Sequence, residues 1–285
     1  MAKYRKHIIV VGSARSGTSW LSETISKQFR YRMLFEPEHD SRTKKGHLLC
    51  DRYLLSAEGN EAVISYLHQL FKNKVDSDWI AQNSNRKLKM HLWPWIPKKY
   101  VIKFVRCNLS AAWMHHYFEI PVIHIIRNPY DVILSQQRVK FPWLYDLSRF
   151  QSQPHLVALV QKEFGVDILQ AESYSGMEVL ALRWCLENVV PLQCVRNTAK
   201  DYAVVKYEDL RINVNNYLKL CAQFNIEPIA NIEEAYKKPS SKTHPKSAIL
   251  DPNENLLSFN ETELAKVNRV LMQFKQSFYP LQSEA

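Results

Sequence analysis

The sequence predicts an α/β fold: one domain, residues 1–285, with a parallel β-sheet flanked by helices. Five short runs rich in Val, Ile, Leu, Tyr and Phe support this prediction: residues 8–11, 31–35, 100–105, 122–126 and 202–206. Continuous apolar runs of this length are typical of strands buried on both faces of a sheet. Segments with helical periodicity lie between them, and this alternation favours parallel strands with helices on both faces.

The first strand leads into the most informative stretch, from His7 to Leu21. After the strand, residues 12–17 are small and polar apart from one arginine, and a helical pattern runs from Thr18 to about Phe29. A strand, a small-residue loop and a helix direct backbone N–H groups and a helix N-terminus at one point. This segment is therefore a candidate phosphate-binding loop.

The loop differs from a Walker loop at one position. Gly12 and Gly17 have the Walker spacing, but Thr18 stands where that motif has its lysine. Arg15 supplies a cation within the loop instead. The loop is therefore suited to a donor whose transferable group lies beside Arg15, and it lacks the lysine contact of a magnesium-bound triphosphate.

Two later strands carry candidate site residues. The strand Tyr31–Phe35 ends at Glu36, and ligands bind at the carboxyl ends of strands in open α/β sheets. Lys103 lies inside the strand Tyr100–Val105, where an unpaired charge is costly. Its side chain can either reach an anion or extend outward to solvent.

The strand Val122–Ile126 is followed at once by Arg127. Pro129 is well placed in the first turn of the next helix, Val132–Gln137 have helical spacing, and Ser135 lies two turns into this helix. The side chains of Arg127 and Ser135 can both face one ligand. Further helices are expected at residues 60–71, 109–118, 154–164, 173–197, 207–224 and 261–274, with irregular segments at 73–99, 141–150 and 237–260.

Composition narrows the function classes. The net charge of +10, from 38 Lys and Arg against 28 Asp and Glu, favours an anionic ligand, and by itself also fits nucleic acid or a membrane surface. No zinc-finger spacing, basic zipper or RNP-type motif occurs. The five cysteines form no C-x-x-C pair, so neither a disulfide framework nor a metal site is indicated.

The chain passes from MAKYRK straight into the first strand, and no apolar run approaches membrane-spanning length. From these features we expect no signal peptide, no transmembrane segment and a cytoplasmic protein.

Three landmarks together carry a resemblance to a known family: residues 12–20, residues 126–135 and residues 205–210, the last reading Val-Lys-Tyr-Glu-Asp-Leu. In this order and spacing the chain resembles the sulfotransferases that use 3′-phosphoadenosine-5′-phosphosulfate (PAPS), over residues 7 to about 225. The resemblance implies a P-loop-like fold, PAPS as the donor, no metal, and a carbohydrate or other small-molecule acceptor.

The resemblance also implies donor-binding roles. Backbone N–H groups of the loop would bind the 5′-phosphosulfate together with Arg15 and the hydroxyls of Thr18 and Ser19, while Arg127 and Ser135 would bind the 3′-phosphate. The implied donor-binding residues are Arg15, Ser16, Gly17, Thr18, Ser19, Trp20, Arg127, Ser135 and Tyr207, with Tyr207 near the adenine.

The base that activates the acceptor is the point where this chain departs from part of the family. Sulfotransferases of small phenols and steroids carry a Lys-Thr-His run whose His is the base, and Val105 stands at that position here. The carbohydrate-type branch resembles this chain at Leu34–Pro37, so Glu36 is the expected base, with Lys103 and Arg15 assisting at the sulfonate. Glu23 and His91 are the alternatives.

Two other classes remain open from the sequence: a P-loop nucleotide or small-molecule kinase, and a non-catalytic basic protein that binds nucleotide or nucleic acid. The missing lysine after Gly17 disfavours the kinase. A binding protein would keep the loop without needing a positioned carboxylate.

Overall fold

A computed structural model describes residues 4–28, 31–75, 77–81, 99–193, 200–241 and 258–283. The contacts divide the chain into two compact units, Met1–Ile126 with Val195–Lys242 and Arg127–Cys194 with Thr243–Ala285. We call them unit 1 and unit 2 and describe each by itself. The single domain of residues 1–285 stays a prediction, and His91 and most of the segments 73–99 and 237–260 lie outside the described residues.

Unit 1 contains a five-stranded sheet in the order β2-β3-β1-β4-β5, in which every pairing is parallel. The strands are β1 (Ile8–Val11), β2 (Tyr31–Phe35), β3 (Lys99–Phe104), β4 (Val122–Ile126) and β5 (Tyr202–Lys206). The predicted fold class, a parallel sheet flanked by helices, is confirmed.

Helices cover both faces of this sheet. They are α1 (Thr18–Ser26), α2 (Glu61–Phe71), α3 (Ala111–Phe118), α9 (Tyr207–Ile212), α10 (Val214–Gln223) and α11 (Ile232–Lys237). Ile9 and Val11 of β1 pack on one face in a core with residues of α2 and α3. Ile8 and Val10 pack on the other face with residues of α1, α10 and α11. This alternation follows from the two-residue period of a strand.

The described part of unit 2 is helical. Its helices are α4 (Pro129–Val139), α5 (Pro142–Tyr145), α6 (Ser148–Gln151), α7 (Pro154–Phe164), α8 (Gly176–Gln193) and α12 (Glu261–Gln273). The long helix α8 packs against α4, α5 and α12. None of the helices in the described ranges has the length and apolar character needed to cross a membrane.

Several element boundaries differ from the prediction. The helix expected over 207–224 is two helices, because Asn213 is extended (φ −144°, ψ 125°) and its side chain accepts a hydrogen bond from the Asn215 N–H, capping α10. By contrast, helix α4 begins at Pro129, which the sequence places in its first turn, and the Asn128 side chain caps it. The segment 141–150, expected to be irregular, contains α5 and α6, and α11 was not predicted.

Candidate active site

The loop between β1 and α1 has the backbone of an anion-binding turn. The Ser16 N–H and hydroxyl both donate to the Ser13 carbonyl, at 3.1 and 2.6 Å. Arg15 and Gly17 lie in the left-handed region with φ of 74° and 93°. Left-handed residues between right-handed ones turn successive N–H groups toward a common concave side, which favours an anion.

The N-terminus of α1 lacks the side-chain cap that many helices carry. Its N-cap is Gly17, and no acidic residue lies in its first turn. By contrast, α12 begins with a complete capping box formed by Asn260 and Glu263. Because the first N–H groups of a helix have no intrahelical acceptor, the positive end of α1 is suited to an external anion.

Tyr207 and Trp20 form one wall of this loop. Tyr207 begins α9 directly after β5, and its ring lies against Gly17. Trp20 packs edge-on against Tyr207, with ring centroids 5.9 Å apart, and its indole N–H donates to the Tyr236 carbonyl at 3.1 Å. Trp20 is 5% exposed. Trp20 is therefore a largely buried side chain that packs within unit 1.

Glu36 and Lys103 form an ion pair beside the loop. Lys103 Nζ donates to Glu36 Oε1, and the side chains are 3% and 15% exposed, the lysine being the more buried. The Glu36 N–H in turn donates to the Lys103 carbonyl at 2.9 Å, and Nζ lies 4.3 Å from the centroid of the Phe35 ring. Lys103 therefore does not extend to solvent, which settles that alternative, and the pair satisfies a charge that would be costly if buried alone.

Sheet topology brings these groups to one edge. Lys103 is in register with Phe35 of β2 on one side and with Val10 of β1 on the other. Since the three strands are parallel and adjacent, Glu36, Lys103 and the loop that follows β1 all lie at their carboxyl ends. The sequence predicted Glu36 and Arg15 for this edge, and the structure places both residues there.

Glu36 itself has a strained backbone, with φ of 41°. Non-glycine residues rarely adopt this conformation, and it persists where surrounding contacts fix it. Arg15 shares this feature. Two of the predicted site residues therefore lie at unusual backbone positions, which clusters of functional residues often contain.

The other candidate bases have different surroundings. Glu23 on α1 accepts hydrogen bonds from the Ser241 N–H and hydroxyl, at 2.8 and 2.7 Å, at an exposed position. His91 lies outside the described residues. Among the described candidates, Glu36 is therefore the one held in a largely buried ion pair at the carboxyl edge.

Glu38 is a buried acid that the sequence reasoning did not select. It is fully buried, and burial together with the charge of Glu36 raises its pKa to about 7. The run Glu36-Pro37-Glu38 was visible in the sequence, but its pattern resembles a polar loop after a strand. No sequence signal distinguished the buried Glu38 from an exposed one.

Arg127 and Ser135 lie in unit 2. Arg127 precedes α4, where its carbonyl accepts the indole N–H of Trp184 at 3.2 Å and its guanidinium lies 3.7 Å from Asp131. Ser135 is in the second turn of α4 and is partly exposed.

Within the described ranges, no cluster of three or more His, Cys, Asp and Glu could hold a metal ion.

Comparison with known proteins found similarity at the level of the fold. No protein-family model and no curated protein matches the chain. The fold is similar to the sulfotransferase domain from the curacin biosynthetic pathway, with 15% identity, a TM-score of 0.46, and 95% of this chain and 98% of that chain covered.

Two further solved structures are similar at the same level. The sulfotransferase domain of the Synechococcus PCC 7002 olefin synthase has 15% identity and a TM-score of 0.46 over 96% of this chain and 95% of that chain. Mouse sulfotransferase SULT7A1, solved with PAP, has 13% identity and a TM-score of 0.46 over 96% of this chain and 86% of that chain. Solved sulfotransferases of bacterial and mouse origin are thus among the structures that this fold resembles.

Proposed function

We propose that this protein is a sulfotransferase that transfers the sulfonate group of PAPS to the hydroxyl of a carbohydrate, glycolipid or other small molecule. One observation carries the proposal: an anion-binding loop without a Walker lysine lies at the same sheet edge as the buried Glu36–Lys103 pair. The ordered motifs of the sequence specify the donor.

The loop is proposed to bind the 5′-phosphosulfate. Backbone N–H groups of Gly17, Thr18 and Ser19, the guanidinium of Arg15 and the hydroxyls of Thr18 and Ser19 bind its oxygens. The Ser16 N–H, which the family resemblance also implies, donates to the Ser13 carbonyl instead. The glycine N-cap of α1 supports this role because it leaves no side chain competing with an anion. Donors fixed in advance at a departing oxygen stabilise the charge that develops there.

Arg127 and Ser135 are proposed to bind the 3′-phosphate. A guanidinium and a hydroxyl together match the geometry of a phosphate dianion, and Arg binds phosphate in a bidentate manner more readily than Lys does. This recognition would distinguish PAPS from adenylates that lack a 3′-phosphate. Tyr207 is proposed to lie near the adenine.

In the proposed reaction, Glu36 accepts the proton of the acceptor hydroxyl. The bond between the acceptor oxygen and sulfur forms as the bond between sulfur and the 5′-phosphate oxygen breaks, and adenosine 3′,5′-bisphosphate leaves with that electron pair. Lys103 supplies positive charge beside Glu36 and the transferring group. As in phosphoryl transfer, positioning and neutralisation of charge provide most of the catalysis.

The proposal is tested by two measurements on the full chain. Thermal-shift and calorimetric titrations with adenosine 3′,5′-bisphosphate, ATP–Mg²⁺ and duplex DNA identify the ligand class, and we expect stabilisation by the bisphosphate. Incubation with [³⁵S]PAPS and a panel of sugars, glycolipids, sterols and phenols then identifies the acceptor. Selective stabilisation by ATP–Mg²⁺ or by DNA would overturn the proposal.

A further inference from the structure

Glu38 connects the two segments that bear Glu36 and Lys103. Its Oε1 accepts hydrogen bonds from the backbone N–H groups of Val105 and Arg106, at 2.6 and 3.1 Å. These residues immediately follow β3, whereas Glu38 belongs to the segment that follows β2. The carboxyl group therefore ties the end of one strand to the end of its neighbour.

The same two segments are joined a second time on the other side of Phe104. The Glu36 N–H donates to the Lys103 carbonyl, and the Lys103 ammonium donates to the Glu36 carboxylate. The two bridges lie on either side of Pro37, and Glu36, which takes part in the first of them, has φ of 41°. Because an unfavourable φ persists only where surrounding bonds maintain it, Glu38 is placed to hold Glu36 in this conformation.

The surroundings of Glu38 bring the pKa of its carboxyl close to neutral pH. Burial raises its pKa most, the charge of Glu36 raises it further, and backbone N–H groups and Lys103 lower it, with a result of about 7. Its second oxygen, Oε2, is buried and has no hydrogen-bond partner within the described ranges. An oxygen in such a place is less costly in a neutral carboxyl than in a carboxylate.

The thiol and phenol groups near Glu38 stay neutral around neutral pH. Burial raises the pKa of the Cys50 and Cys107 thiols well above the neutral range and that of Tyr66 to about 12. The groups that face Glu38 are Glu36, Lys103, Cys50, Cys107 and Tyr66, together with Arg106, whose guanidinium pairs with Asp51 and Asp40. Glu38 is therefore a buried carboxyl whose pKa lies near neutral pH. The imidazole of His39, the next residue along the chain, also interacts with Glu36, and burial lowers its pKa.

We propose that Glu38 is a positioning residue for Glu36: its carboxyl holds the Glu36 backbone against Lys103, and its proton controls the charge beside the Glu36–Lys103 pair. This inference rests on the proposed function, in which Glu36 takes the proton of the acceptor. An ionised Glu38 places a second negative charge beside Glu36 and increases the affinity of Glu36 for a proton. A protonated Glu38 keeps the hydrogen bonds and removes this charge.

The electrostatic interaction between Glu36 and Glu38 can be measured without an acceptor substrate. The full chain is labelled with ¹³C at the glutamate carboxyl carbon and titrated by NMR, as wild type and as the variants Glu36→Gln and Glu38→Gln. Glu58→Gln is the control, because Glu58 is exposed and distant in sequence from both strand ends. The signal that disappears in Glu38→Gln is assigned to Glu38, and triple-resonance correlation assigns it if that variant does not fold.

We expect the Glu38 signal to titrate near neutral pH in the wild type and at least about half a pH unit lower in Glu36→Gln, since a neighbouring negative charge has been removed. Glu58→Gln should leave the midpoint unchanged. A Glu38 midpoint that is the same in Glu36→Gln and in the wild type would overturn the inference.

The kinetic measurement separates this inference from the proposed function. With the acceptor found in the [³⁵S]PAPS screen, kcat of the wild type should increase as pH rises through about 7, and Glu38→Gln should lose this increase while keeping its affinity for adenosine 3′,5′-bisphosphate. Coupled titration without any sulfonate transfer would refute the proposed function alone. Sulfonate transfer in a protein whose Glu36 and Glu38 titrate independently would refute the role of Glu38 alone. The same conclusion would follow if Glu38→Gln kept the pH profile of the wild type.

Discussion

The ring of Tyr207 lies so close to Gly17 that a Cβ atom at position 17 would overlap Cδ2 and Cε2 of the ring. Gly17 also has φ of 93°, which side chains disfavour. Two independent constraints therefore require glycine at the point where the loop becomes α1. The contact also joins the β1–α1 loop to the start of α9, which follows β5. The shape of the loop therefore depends on a segment far away in the sequence.

We predict that Gly17→Ala will disrupt the loop. Gly59 is the matched control, because it also has a positive φ, of 71°, but a Cβ atom there would meet no other atom within 4 Å. Glycine replacement at a left-handed position costs roughly 1–2 kcal/mol, so Gly59→Ala should lose about this much in urea unfolding. Gly17→Ala should lose more, and should also lose affinity for adenosine 3′,5′-bisphosphate. Equal losses at the two positions would show that the contact with Tyr207 is unimportant.

We predict that Glu36→Gln will lower kcat roughly 10²- to 10⁴-fold, as loss of a general base does. The amide keeps the shape of the side chain but cannot take a proton, so the affinity for adenosine 3′,5′-bisphosphate should hardly change. Steady-state kinetics and calorimetry measure the two effects. Glu23→Gln on α1 serves as the control and should remain active. Normal turnover in Glu36→Gln, or a parallel loss of donor affinity, would place the base elsewhere.

We predict that Arg127→Ala will weaken binding of adenosine 3′,5′-bisphosphate far more than binding of AMP, because the two ligands differ in the 3′-phosphate. A lost charge-assisted hydrogen bond to phosphate costs roughly 1.5–3 kcal/mol, or about 10- to 150-fold in affinity. Arg138→Ala, in the last turn of the same helix, is the control. Calorimetry that finds the same loss for both nucleotides would contradict the proposed role.

We predict that sulfonate transfer will continue in the presence of EDTA. In the proposed mechanism Arg15, Lys103 and the N-terminus of α1 neutralise the leaving group, which is the role that a metal ion plays in phosphoryl transfer. Initial rates measured with EDTA and with added Mg²⁺ should agree within a factor of about two. A strict requirement of the transfer for Mg²⁺ would show that these groups alone do not neutralise the leaving group.

We predict that the stability of the wild type will fall between about pH 4.5 and pH 7 relative to Glu38→Gln. The pKa of Glu38 is about 7 in the folded protein and near its ordinary value when unfolded, so the folded state binds the proton more tightly. The stabilisation is complete below the unfolded pKa and is lost as pH rises through the folded pKa. Urea unfolding of both proteins across this range measures the difference, for which each pKa unit is worth about 1.4 kcal/mol. Parallel curves would show that Glu38 has an ordinary pKa.

The sequence by itself determined the fold class and the strands with little error. The bounds of β1, β2, β4 and β5 match the prediction, and β3 differs by one residue at each end. These strands are buried on both faces, so their apolar runs are unambiguous, and the glycine spacing of the first loop specified the turn. The break at Asn213 was missed because a side-chain cap within a polar segment has no apolar period to reveal it.

Only the tertiary structure determined how the charged side chains at the sheet edge are paired and buried. The sequence placed Lys103 in a strand but left its direction open, and the pairing of β2 with β3 in register is what brings its ammonium to Glu36. The burial of Glu38 also depends on this pairing, since its carboxyl reaches N–H groups 67 and 68 residues away. A sequence specifies local periodicity and turns, whereas the pKa of a carboxyl depends on burial and on charges brought near by distant segments.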